Sequence, residues 1–190
     1  MYEARQNKEK VSRTIQSNHK CFQQFKKGHN TIIVSNSTIQ RNPIITALTV
    51  TPQQINVLSS KMCWDAVAYC LYLDRLISRR KYNSWGNSQQ AALARLVDMH
   101  DLMANNPNIP ANTIVGIFRN NPYPILSHVM LSLGNGLCIG SNNGCIGGSR
   151  QWSVVNIAQQ LNWNGNNPPT FGNNPRLVYY RGVATAINRF

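Results

Sequence analysis

Apolar positions along this chain recur at intervals of three and four in its first half and at intervals of two beyond it. Ser60 is a capping residue, and after it Cys63, Ala66, Val67, Cys70, Leu73 and Ile77 fall on one side of a helix. The pattern carries that helix to about Arg80 and sets Arg79-Arg80-Lys81 at its C-terminal end, where cations are favoured. A second helix is expected from about Ser88 to about Ala104 (Ala91, Leu93, Leu96, Val97, Met99, Leu102, Met103), stopped by Asn105-Asn106-Pro107-Asn108. Then the period changes. Thr113–Arg119 reads as a strand, Asn120–Pro124 as a turn and Leu126–Leu133 as a second strand. Gly134-Asn135-Gly136 is a strong hairpin turn, with Leu137-Cys138-Ile139 returning. A glycine-rich loop over 144–149, a short helix over 152–161, an Asn/Gly/Pro loop over 162–174 and a last strand over 177–181 complete the reading. Helices followed by an antiparallel sheet give an α+β fold class.

The first 55 residues differ from the rest. They are rich in Lys, Arg, Gln, Asn, Ser and Thr, with short apolar bursts at Thr31–Val34 and Ile44–Leu48. We expect a polar basic arm over 1–55, mobile over 1–30, with 31–55 adding a strand or wrapping the domain, and a folded domain over 56–190. Met1–Lys27 lacks the apolar stretch of a secretory signal peptide, so the arm reads as an export or delivery segment used without a cleaved signal.

Charge narrows the chemistry. The formal net charge is +13, yet only 13% of residues are charged, because acids are scarce and none follows Asp101. Two-carboxylate glycoside hydrolysis and carboxylate-rich calcium or magnesium sites have little to work with. The excess of cations suits a polyanionic partner: an anionic wall or membrane surface, or nucleic acid, for which the chain carries no recognisable motif. The four histidines (His19, His29, His100, His128) are scattered and no Cys-x-x-Cys pair occurs, so neither a metal nor another cofactor is expected. Cys63 and Cys70 lie seven apart on one helix, about 10 Å along its axis, and cannot join each other. Cys138 and Cys145 could close a small loop.

Cys63 falls in the first turn of its helix, where backbone N–H groups and the helix dipole favour a thiolate and could hold an oxyanion. Cys70 shares the apolar face without that advantage and reads as core. His128 opens a strand and shares its face with Leu126, Met130 and Ser132 by period two. His100 reads as a helix-end cation. A nucleophile at a helix start followed by a histidine on a strand is an arrangement for covalent acyl transfer.

The run His128-Val129-Met130-Leu131-Ser132-Leu133-Gly134-Asn135-Gly136 resembles the histidine strand of NlpC-type cysteine peptidases, and Cys63-Trp64 at a helix start is similar to the nucleophile region of the wider papain-like superfamily, including bacterial effectors and toxins. The residues around the nucleophile depart from the usual Asp-Cys-Ser of the NlpC type: here they are Met62-Cys63-Trp64. The resemblance implies a papain-like α+β cysteine hydrolase cleaving an amide, in a peptide, in peptidoglycan or in a glutamine side chain. Cys63 would attack and His128 would shuttle the proton. In this superfamily a further residue orients the imidazole; Asn142 is the first choice, with Ser141 and Asn143 behind it, and Gln54 or Asn56 is the candidate oxyanion donor. A secreted effector would add a cognate immunity protein or chaperone as partner. The alternative is a non-enzymatic basic module, using Arg79-Arg80-Lys81 and the lysines of the arm on an anionic surface or nucleic acid.

Overall fold

Short polar residues punctuate the helical half of the fold. The side chain of Asn42 accepts a hydrogen bond from the Ile44 N–H (3.0 Å) and starts α1 (Pro43–Thr49). Thr51 and Gln54 form a reciprocal capping box on α2 (Pro52–Ser60), each helix having proline at its first position. α3 (Cys63–Leu73) begins at Met62 without a side-chain cap, while Ser78 caps α4 (Arg79–Asn83) and Ser88 caps α5 (Gln89–Arg95). The computed structural model describes residues 41–190 apart from 121, 144, 145, 147, 149, 150, 165 and 166. The chain divides into two units, 1–40 and 41–190, and the account below is of the second. The expected mobile arm, His19, Cys21, His29, Cys145 and most of the glycine-rich loop lie outside the described residues.

Seven strands follow: β1 (Leu102–Met103), β2 (Thr113–Asn120), β3 (Pro124–Gly134), β4 (Leu137–Ser141), β5 (Trp152–Asn156), β6 (Thr170–Phe171) and β7 (Asn174–Gly182). All pair antiparallel, in the order β1-β7-β2-β3-β4-β5, with β6 beside β7. The β3–β4 hairpin turns at Gly134-Asn135-Gly136, all three with positive φ (85°, 52° and 75°), which is what glycine and asparagine tolerate. Two further short helices are α6 (Ile157–Gln160) and α7 (Val183–Ile187). Helices with an antiparallel sheet make the fold α+β.

The sheet separates two cores. One face carries Ile114, Phe118, Val129, Leu131, Leu133 and Ile139, packed with Ala66, Val67, Cys70 and Leu71 of α3. The other carries Val115, Ile117, Met130, Cys138 and Val178, packed with Ile157, Leu161 and Trp163. Both faces are covered, so the strands read as nearly continuous apolar runs rather than strict alternation.

Several expected elements differ. The helix expected over 60–80 is three pieces: Ser60 closes α2, and α3 ends where the Leu76 N–H reaches back to the Leu71 carbonyl (3.0 Å). Arg79-Arg80-Lys81 therefore opens α4 instead of closing a long helix. The helix expected over 88–104 stops at Arg95. Beyond it Asp98 and Asp101 turn the chain by accepting N–H bonds, Asp101 Oδ2 from Asp98 and Asp98 Oδ1 from His100 (both 2.7 Å). His100 is thus an exposed turn residue beside Asp98 rather than a helix-end cation. The helix expected over 152–161 is mostly β5, since Trp152, Val154 and Val155 pair with β4, and only Ile157–Gln160 coils. Residues 43–55, expected as arm, strand or wrap, are helical and bury Ile44 and Ala47 in the first core.

Candidate functional site

α3 docks against β3 and β4, and its start is pinned there by hydroxyls. Ser141 Oγ, at the end of β4, bonds the Lys61 carbonyl (3.1 Å), and Ser59 Oγ accepts from the Trp152 N–H (2.8 Å). Lys61 Nζ reaches Asp65 Oδ2 (3.0 Å) and the Tyr82 hydroxyl (2.9 Å), and lies 4.9 Å from the Tyr69 ring centre. Burial works against the Lys61 charge, but the bonds to Tyr82 and Asp65 outweigh it and raise its pKa. The α2–α3 turn is therefore rigidly tied to one end of the β4–β5 pair, and Cys63 is the first helical residue after it, with 3% of its surface exposed.

His128 is wholly buried on β3, paired across from Ile117 of β2. Directly opposed residues of an antiparallel pair share a face, and Ile117 belongs to the second core. Met130, two residues on, belongs there as well, whereas Val129 lies in the core of α3. The imidazole therefore points to the face away from α3. Neither Nδ1 nor Nε2 has a hydrogen-bond partner, and burial pushes the imidazole from 6.5 down to about 4. No thiol–imidazole bond joins Cys63 to His128: the structure brings them to the same end of the sheet but on opposite faces.

The β3–β4 pairing runs from Leu131↔Ile139 to Gly134↔Leu137, and Asn142 lies just past the end of β4. Asn142 is 2% exposed; its Nδ2 donates to Ser153 Oγ (2.6 Å), its N–H to the Gln151 carbonyl (2.8 Å), and its Oδ1 is buried without a partner. Of the residues behind it, Ser141 is occupied by the α2–α3 turn, and Asn143 exchanges backbone bonds with Ile146 (both 3.0 Å). Buried polar atoms without partners are rare enough to need a reason, and here His128 on β3 and Asn142 just past β4 carry them.

Neither oxyanion candidate is at the site. Gln54 sits in the first turn of α2, where its Oε1 accepts from the Thr51 N–H (2.8 Å), about 9 Å along the helix from its Ser60 end. Asn56 is exposed midway along the same helix. Cys70 is core, as expected, its thiol pushed well up by burial. Cys138 is buried and pushed up to about 12, also by burial, so it is not a nucleophile. Among the described residues no group of three or more His, Cys, Asp or Glu could hold a metal ion. Sequence reasoning missed the Lys61–Asp65–Tyr82 network; the Lys61/Asp65 spacing of four was the one local signal for it. No family model matches the chain, and no curated protein matches it.

Proposed function

We propose that the chain is a papain-like cysteine hydrolase of amide bonds, of the secreted bacterial effector or toxin kind. The observation that supports it is a buried, unpartnered imidazole on β3 and a buried amide with an open Oδ1 just past β4, whose last residue, Ser141, is bonded to the turn from which Cys63 starts α3. Cys63 Sγ would add to the substrate carbonyl while His128 takes the thiol proton. Backbone N–H groups of the first turn of α3 would hold the oxyanion, the amine would leave with the proton from His128, and water would then cleave the thioester. Asn142, the residue proposed to orient the ring, would have to turn to the face of α3 together with His128.

This chemistry requires His128 on the face of α3. The β2–β3 pairing shifts between Ile117 and Phe118, where Ser127 is the extra residue of a bulge. Moving the extra residue from Ser127 to His128 releases the ring from the second face and leaves the strand on either side in register. Amide substrates in a peptide, in peptidoglycan or in a glutamine side chain all fit the mechanism.

The pH dependence of Cys63 alkylation by iodoacetamide, read by mass spectrometry in wild type, His128→Ala and the more conservative His128→Gln, tests the pair. Modification that both variants slow across about pH 6–8 is the expected result, the neutral imidazole serving as the base that takes the thiol proton. Modification that rises only near about pH 8–9 and ignores His128 would overturn the proposal in favour of a non-enzymatic basic module.

A further inference from the structure

An open cavity of about 400 Å³ lies where α3 ends and α4 begins. Arg41, Arg75, Arg79 and Lys81 line it with Tyr72 and Ser78, and among the described residues no carboxylate does. None of the four cations takes part in the ion pairs of the described residues, which use Lys61, His100, Arg181 and Arg189 instead. Asp74, next to Arg75, is turned inward: its Oδ1 accepts from the Thr46 hydroxyl (2.6 Å) and its Oδ2 is buried. Two of the guanidinium-bearing residues are held together, for Arg41 Nη1 donates to the Arg75 carbonyl (2.8 Å).

Arg75 occupies a position that local energetics assign to another residue. Its φ is +59°, and the Leu76 N–H bonds back to the Leu71 carbonyl (3.0 Å), the closing bond of a helix whose next residue is left-handed. Glycine fits there at no steric cost and asparagine at little, whereas arginine is strained. The backbone needs no arginine at this position, and the side chain lines the cavity.

We propose that this cavity binds an anion carrying two or more phosphate groups. A single phosphate would leave the four converging cations undercompensated, and the space exceeds one such group. Guanidinium forks match phosphate oxygens bidentately, with Lys81 as a point charge on the rim. The site is independent of the hydrolase reading and shares no residue with it. The same chemistry is offered by a soluble polyphosphate and by a lipid headgroup that carries two or more phosphate groups.

Tripolyphosphate is the probe, titrated calorimetrically into the full chain, with Arg75→Gly and the pair Arg79→Ala/Lys81→Ala as variants. Binding that weakens about tenfold or more in both is expected. Arg75→Gly removes strain, so it folds at least as well as wild type, as thermal unfolding will show, and its Cys63 alkylation profile stays unchanged. Flotation with vesicles of neutral lipid containing a phosphatidylinositol bisphosphate separates the sources. Capture by these vesicles that tripolyphosphate displaces assigns the headgroup, and soluble binding without capture assigns a free anion. Absence of both, or an unchanged affinity in folded Arg75→Gly, overturns the site.

Discussion

Burial of His128 has a thermodynamic consequence of definite sign. In the unfolded chain its imidazole titrates near 6.5, and in the folded protein near about 4, because no solvent and no hydrogen-bond partner supports the charged form. A histidine whose folded pKa is depressed is protonated first in the unfolded state. Stability from this residue is therefore fully present above the unfolded value and is lost as pH falls from about 6.5 to about 4. The lowering from 6.5 to about 4 corresponds to about 3 kcal/mol, an upper bound because local opening admits water. Urea unfolding between pH 4 and 7 measures it, as the difference between wild type and His128→Gln. That difference cancels the carboxylates and the other histidines. Wild type should lose ground to the variant by up to about 1.4 kcal/mol per pH unit over this window. A difference independent of pH would show that the ring is solvated and sink the burial argument. A difference of opposite sign would mean an imidazolium already paired with a thiolate on the α3 face.

The turn after α5 depends on Arg181, whose side chain is 2% exposed and holds Asp101 Oδ1 through Nε (2.7 Å) and Asp98 Oδ2 through Nη2 (3.1 Å). Asp101→Ala leaves the buried Nε of Arg181 without an acceptor, Asp98 still holding Nη2, and should cost about 1–3 kcal/mol, whereas Arg181→Met leaves carboxylates that water can reach and should cost less; the reverse order of denaturation midpoints would refute the reasoning. Gly116→Ala should destabilise by about 1–3 kcal/mol, because the new Cβ would stand 2.6 Å from Val97 Cγ1 and 3.0 Å from a Phe118 ring carbon; a thermal midpoint equal to wild type would show that Val97 yields freely.

Period two is a strong signal when turns bound it. β2, β3 and the Gly134-Asn135-Gly136 hairpin were legible because each strand is rich in β-branched or apolar residues and the turn residues are unambiguous. The helices were legible as helical but not as separate pieces. Leu71, Leu73 and Ile77 keep the apolar rhythm through a break that only the left-handed Arg75 and the Ser78 cap create. β5 was hidden because Trp152–Leu161 is apolar on too many positions for a period to emerge, and pairing with β4 decided it. Of the candidate site, the sequence signalled the start of a helix at Cys63 and a strand carrying His128. The face of His128 was not legible, since it is set by a bulge at Ser127, and a one-residue irregularity reverses a side chain without leaving a mark in the pattern. Neither Arg41 nor Arg75 carried any sequence signal, as they meet only through the end of α3.

One helix organises both proposed sites. Its eleven residues span about 16 Å, with Cys63 at the start and Tyr72 and Arg75 at and just past the end. The helix dipole offers partial positive charge to a thiolate at the first end and partial negative charge to cations at the second. Arg41, bonded to the Arg75 carbonyl, is stabilised by that negative end in the absence of any ligand. The dipole accounts for one arginine, however, and not for four cations around a cavity without an acid among the described residues, nor for an arginine on left-handed backbone. If the helix end were the whole explanation, Arg75→Gly would gain about 1 kcal/mol of stability and lose nothing. A loss of phosphate affinity accompanying that gain would show that the strain at Arg75 is kept for binding.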